Sequence, residues 1–297
     1  MAKTEKRILI INADDLGYTR GVNLAIGECA AKGMVRSASL MANGYAFDHA
    51  VEILRKHSSL DVGVHLVLTE LPPASSPAKI GGLTDYRGLL PATPRELMTH
   101  LAGGRISKDS IRQELSTQIG KLVDHGLRPT HLDSHKHVHA LPQVLETVIE
   151  LAHKFSVPWI RAPFDGAGLF RLGHFLDRKG KTSLCTQVLK AKLIGSLRTG
   201  FYKRMRDSGL RTPDHFFGIS CTGIWNAALV IHLLEDLQPG VTEWMVHPGN
   251  YDGDLERMST RLLDQREKER DLLQNTDLHR YLVGQGIILS SFHREAQ

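Results

Sequence analysis

Residues 8–17 read ILIINADDLG. The apolar run ILIINA (8–13) suits a strand covered on both faces, as parallel sheets require. A dinucleotide-binding domain would follow such a strand with a glycine-rich turn, but NADDLG stands there instead, which argues against that fold. On a continuing strand the adjacent Asp14 and Asp15 would point to opposite faces. At a strand end the chain turns, and both can approach one mouth. The plainer alternative is that Asp15 caps the next turn or helix and Asp14 is solvated.

Outward from this run, helix-like and strand-like segments alternate. Helical spacing marks 22–33, 47–57, 107–125, 141–155 and 182–208, with a charged helix near 255–274. Strand candidates are 35–42, 61–68, the extended PTHLDSH from 129, PWIRAPF from 158, 215–220, 241–247 and 286–292; AALVIHLLEDL (227–237) continues the alternation, and 70–93 reads as a long loop. Seven or eight strands alternating with helices imply an α/β fold with a mostly parallel sheet and helical crossovers. A (β/α)-barrel-like architecture is the first expectation, and a doubly wound open sheet the alternative. The 297 residues suit a single domain over 1–297, with a helical insertion around 168–210.

Composition narrows the partners. Net charge is +5, much of it in Lys190, Lys192, Arg198, Lys203, Arg204 and Arg206. A solvated helix face explains the cluster plainly; contact with an anionic membrane or lipid-linked substrate is the sharper alternative. No nucleic-acid motif accompanies the charge, so no nucleic acid is expected as partner. Cys29, Cys185 and Cys221 have no metal or redox spacing and read as thiols of a reducing compartment. The opening MAKTEKRILIINADD does not read as a secretory leader, because its apolar run is short and ends in carboxylates. The expected location is cytoplasmic, and a homo-oligomer stays open.

The polar residues that interrupt or follow apolar runs share one topological position. Asp14, Asp15, His65, the cluster 131–139, Arg161 and His247 all fall in or after strand candidates. In parallel α/β folds those C-terminal strand ends form the active-site mouth. His65 is the one strong polar group in VGVHLVL (62–68), as a core histidine or a ligand. In His131-Leu132-Asp133-Ser134-His135-Lys136-His137-Val138-His139, every odd position is His or Asp. An extended chain would line one face with all five, spaced by about 7 Å, too far for all to share one ion. One or two would ligate; the others would orient ligands or contact substrate. His247, before Pro248-Gly249, suits a proton donor or a loop cap, and Arg161 a substrate contact or an ion pair.

INADDLGYTRGVNLAI, SASLMANG with FDHAV, VGVHLVLT, RPTHLDSHKHVHALP and GVTEWMVHPGNYD together resemble the YdjC-like carbohydrate deacetylases, a family that includes the ChbG chitooligosaccharide deacetylases and the HpnK proteins of hopanoid biosynthesis. The resemblance spans nearly the whole chain. It implies a barrel-like fold related in mechanism to NodB-type deacetylases. It implies Asp15, His65 and His135 as ligands of one divalent ion, magnesium or zinc, with Asp14 as base and His247 as acid. Asp133, His137, His139 and Arg161 would orient these groups or touch substrate. Two imidazoles and one carboxylate suit zinc better than magnesium. The implied reaction removes the N-acetyl group from an acetylated amino sugar, a chitooligosaccharide or an acetylglucosaminyl conjugate such as a glycosylated hopanoid, and releases acetate. A metal-dependent phosphoesterase on the same barrel type and a non-catalytic carbohydrate-binding protein are the alternatives.

Overall fold

The computed structural model of the chain describes residues 6–165 and 169–296. Its strands are β1 (Arg7–Leu16), β2 (Ser37–Leu40), β3 (Asp61–Leu66), β4 (His131–Ser134), β5 (Trp159–Ile160), β6 (His215–Phe217), β7 (Gly240–Val246) and β8 (Ile288–Ser290). A seven-strand path runs β5-β4-β3-β2-β1-β7-β6, and β8 joins β1 off that path. All these pairings are parallel. An isolated parallel bridge from Trp159 to Arg211, just ahead of β6, links the two ends of the path. The fold is therefore α/β and barrel-like, as the alternation of elements predicts.

The helices are α1 (Arg20–Ala31), α2 (Phe47–Lys56), α3 (Pro94–Ala102), α4 (Lys108–Asp124), α5 (Pro142–Lys154), α6 (Arg178–Gly195), α7 (Arg198–Ser208), α8 (Ala227–Glu235), α9 (Gly253–Glu256), α10 (Asp264–Leu273), α11 (Thr276–Gly284) and α12 (Phe292–Ala296). No described helix is long and apolar enough to cross a membrane.

β1 is the hub. It is buried from Leu9 onward, as its apolar run requires. One edge pairs with β7 along Arg7–Ala13. The other edge is shared: Ile8–Ile10 pair with β8, and Asn12 to Leu16 pair with β2. α1 then starts where the Thr19 hydroxyl accepts the Val22 N–H, a side-chain cap on an orphan donor.

The structure departs from the sequence reading in four places. The extended reading of 131–139 ends at Ser134, because Lys136 and His137 turn left-handed at φ 57° and 58° inside a 3-10 segment, His135–Ala140. The charged stretch 255–274 is helical only in α9 and α10. Residues 182–208 form two helices, α6 and α7, separated near Ser196 and Leu197; Gly168, where the expected insertion begins, lies outside the described residues. Finally, α3 and α11 form in stretches to which the sequence reading assigns no element. α3 opens on Thr93, whose side chain accepts the Glu96 N–H, with Pro94 in the first turn.

Candidate metal centre

The end of β1 resolves the problem of two adjacent carboxylates. The β1–β2 register shifts between Ala13 and Leu16. Within that bulge Asp15 is left-handed at φ 67°, and its carbonyl accepts the Tyr18 N–H at 3.0 Å. The strand bends and brings both carboxylates to one cleft. A left-handed non-glycine residue is costly and persists where surrounding structure enforces it. Of the five such residues described, Asp15, Glu70, Lys136, His137 and Ser156, the first four lie at this centre.

His65 stands near the end of β3, buried, with Nδ1 2.8 Å from Asp133 Oδ1. That carboxylate on Nδ1 leaves Nε2 facing Asp15. Asp133 lies beside His65 in the β3–β4 register and accepts the Ser39 hydroxyl at 2.7 Å. His135 follows β4 immediately, and the left-handed turn after it holds its ring toward β1. Its Nε2 is 2.9 Å from Glu70 Oε2, which leaves Nδ1 toward Asp15.

Three donor atoms thus converge. Asp15 Oδ1 is 3.5 Å from His65 Nε2 and 3.3 Å from His135 Nδ1. Ligands about 2.1 Å from a tetrahedral ion stand about 3.4 Å apart, so these spacings suit one cation. Asp15 Oδ1 is also buried without a hydrogen-bond partner, whereas Oδ2 accepts Arg266 Nη2 at 2.5 Å. A buried carboxylate oxygen left bare among imidazole nitrogens is the atom a cation would satisfy. Burial works to raise the Asp15 carboxyl, but Arg266 and His135 outweigh it and hold it well below the usual carboxylate range. His65 is lowered by burial yet carried up to about 9 by Asp133 and Asp14. A cation entering here would therefore displace a proton from His65.

Asp14 lines the same cleft but is already paired with a cation. Fully buried Arg161 grips both its oxygens at 2.6 and 2.7 Å and also reaches Asp133 and Glu243 at 2.7 Å each. Three carboxylates around one guanidinium leave excess negative charge. Burial, with Asp133 and Asp14, pushes Glu243 up to about 7 despite Arg161. Asn12 Nδ2 adds a hydrogen bond to Asp14 at 3.0 Å. Asp14, His65 and Asp133 also lie close enough to hold an ion, but Arg161 already occupies both carboxylates.

A cleft of about 520 Å³ opens above the centre, lined by Asp14, Asp15, His65, Glu70, His135, His137 and His247 among others. The His247 ring carries Nδ1 buried and unpartnered, and burial pushes the imidazole down to about 4. Its backbone N–H donates to Glu269 Oε2 at 2.6 Å. His137 faces the cleft, whereas His139 is tied to Ser134 and to the Arg161 carbonyl and holds the chain that carries Arg161. His131 turns inward, between Ser39 Oγ and Thr130 Oγ1.

Four groups escape sequence reasoning: Glu70, Glu243, Arg266 and Glu269. Glu243 is the lone carboxylate in apolar β7 and could have been noticed as such. Glu70 follows a strand end, the same signal that marks Asp15. Arg266 and Glu269 sit in a helix charged on every side, DQREKERDLL, where nothing sets the two buried charges apart.

The Enterococcus faecalis V583 protein of known crystal structure superposes with a TM-score of 0.75 at 23% identity, covering 97% of this chain and 98% of that one, which supports the fold. A carbohydrate deacetylase of Brevibacillus brevis is 34% identical over 96% of this chain and 98% of its own length. One from Thermoanaerobacter pseudethanolicus is 30% identical over the same shares. A chitooligosaccharide deacetylase of Yersinia enterocolitica is 38% identical over 52% of this chain and 58% of its own. The family model for YdjC-like proteins matches residues 8–283, which include Asp14, Asp15, His65, His135 and His247, and the chain belongs to that family.

Proposed function

We propose that this chain is a metal-dependent carbohydrate deacetylase that removes the N-acetyl group of an amino sugar. The observation that carries the reading is the bare, buried Asp15 Oδ1 facing two imidazole nitrogens on the cleft floor. The relatives, named carbohydrate and chitooligosaccharide deacetylases, supply the substrate class.

Asp15, His65 and His135 would hold the ion. A divalent cation there would supply Lewis acidity toward an acetamide carbonyl and acidify a water. Two nitrogen donors favour zinc or a similar ion over magnesium. Asp14, clamped by Arg161 on both oxygens, is oriented to accept the water proton. His247 gives a proton to the departing amine. Because burial keeps its imidazole neutral at rest, it must first gain that proton within the cycle. Asp133, Arg161 and Glu70 orient the reacting groups, and His137 faces substrate.

The cleft wall carries Met98, Leu193, Ile194 and Leu197. It supports an amino sugar with an apolar aglycone, such as a glycosylated hopanoid, beside chitooligosaccharides. Free thiols at Cys29, Cys185 and Cys221 support a cytoplasmic setting. The reading takes 1–297 as one domain, with residues 187–197 of the expected 168–210 insertion lining the cleft wall.

The test is acetate release from N-acetylglucosamine oligomers and lipid-linked acetylglucosamine with defined metals. Acetate should appear with a divalent ion and cease with chelator. Asp14→Asn should keep metal affinity in calorimetry while losing about 10²–10⁴ in turnover. Phosphate release from phosphorylated substrates, with no acetate from any acetylated sugar, would move the chain to the phosphoesterase alternative.

A further inference from the structure

The helix α6 forms one wall of the metal cleft through Gln187, Lys190, Leu193 and Ile194, and Leu193 on that wall is also open to solvent. It packs inward through Leu184, Gln187 and Val188. Outward it presents Leu189 at 70% and Leu193 at 67% exposure, four residues apart and so on one face. Exposed leucines this large on a packed helix call for a partner.

Charge says which partner. From Arg178 to Arg206 the chain carries nine Lys and Arg residues and no Asp or Glu. Beside α6 lies a recess of about 610 Å³ lined by Arg178, Lys179, Lys190 and Arg261, three α6 hydroxyls and no carboxylate. Lys190 is held below its usual value by burial first, then by Arg261 and Lys136. Cations crowded against hydroxyls, with no carboxylate in the lining, form a site for phosphate oxygens. Leucines framed by such cations match the composition of helices that lie in the interface of anionic bilayers.

We propose that the outer face of α6 docks the enzyme on an anionic phospholipid surface, with Leu189 and Leu193 entering the headgroup layer and the adjoining recess taking a lipid phosphate. Docking would set the cleft mouth at the membrane, because Lys190 and Arg261 line both the recess and the cleft. A lipid-linked sugar could then reach the metal centre without leaving the bilayer.

The experiment is co-sedimentation of the full chain with vesicles of phosphatidylcholine alone and with roughly a third phosphatidylglycerol. The protein should partition at least about tenfold more strongly to the anionic vesicles, and the gain should shrink as salt rises. Leu189→Glu and the milder Leu189→Ser should each weaken partition severalfold with an unchanged circular dichroism spectrum, and Lys179→Ala should do the same. Equal partition to both vesicles, or binding unmoved by these variants, overturns the proposal. So does inorganic phosphate binding in calorimetry without vesicle partition, which would give the recess to soluble phosphate compounds. Preferential retention on an oligonucleotide, or a dimer that Leu189→Glu dissolves, would assign the face to nucleic acid or to a second copy. None of these readouts involves turnover, so docking and deacetylation stand or fall separately.

Discussion

Glu70 shows how much of the centre depends on residues that would not touch the ion. It is left-handed at φ 70° and reaches His135 Nε2 at 2.9 Å and Lys136 Nζ at 3.4 Å. It thereby fixes which ring nitrogen of His135 faces Asp15, as Asp133 does for His65 and Arg266 for the carboxylate itself. Glu70→Ala should weaken metal binding about 10–100-fold by titration calorimetry while leaving the unfolding midpoint nearly unchanged. An unaltered dissociation constant would reduce the contact to surface packing.

Glu243 gives a pH prediction with a definite sign. Burial raises its carboxyl from 4.5 to about 7, so the folded chain keeps a proton that the unfolded chain releases. The stabilisation is present below about 4.5 and is lost as pH rises through about 7. A displacement of that size corresponds to on the order of 3 kcal/mol. Glu243→Gln has no proton to lose, so its unfolding free energy should lack this decline between about pH 5 and 8. Glu269, also raised to about 7 by burial, declines equally in both proteins and cancels from the comparison. Parallel urea curves at the two pH values are the measurement.

Among the elements, β3 and β4 are fitted to each other through a missing side chain. A Cβ on Gly63 would lie 2.4 Å from the His131 ring. That ring cannot yield, being held by Ser39 and Thr130 and stacked on Phe292 at 4.0 Å. Gly63→Ala should cost about 1–3 kcal/mol in denaturant unfolding. Elements with a strong pattern were legible in the sequence: β1 and β3 as apolar runs, α5 as an apolar stripe. α3 and α11 were not, because each buries only two residues, Leu97 and Leu101 or Leu278 and Leu282, too few to mark a period. The histidine stripe misled in its second half, since alternation presumes an extended backbone and two left-handed residues end it. Asp15, His65 and His135 could be singled out as polar groups in or after apolar runs, and only the family resemblance joined them as one ligand set. Their supports, Glu70, Arg266 and Glu243, come from other segments and need the fold to be seen.

At the scale of the molecule, the two ends of the strands do different work. The candidate metal centre gathers at the C-terminal ends. Phe292 fills the opposite end, with Ile10 and Trp159 forming a small cluster there and His131 stacked on it. Those three partners sit in or at the start of β1, β5 and β4, so one buried ring ties three strands. Phe292→Ala should lower stability by about 3–5 kcal/mol. Metal affinity, measured where the variant remains folded, should fall less than in Glu70→Ala, because the ring reaches His65 only through His131, Ser39 and Asp133.

β1 carries both aspartates, yet two of its three neighbours, β7 and β8, lie far along the chain, from Gly240 onward. The edge that pairs with β7 therefore stays bare until Gly240–Val246 is made, and contacts so distant along the chain form slowly. The apolar run at 8–13 is thus the strand edge most open to wrong pairing while β7 and β8 are missing. The bend that presents Asp14 and Asp15 therefore gains its full set of neighbouring strands only after β7 and β8 have joined β1.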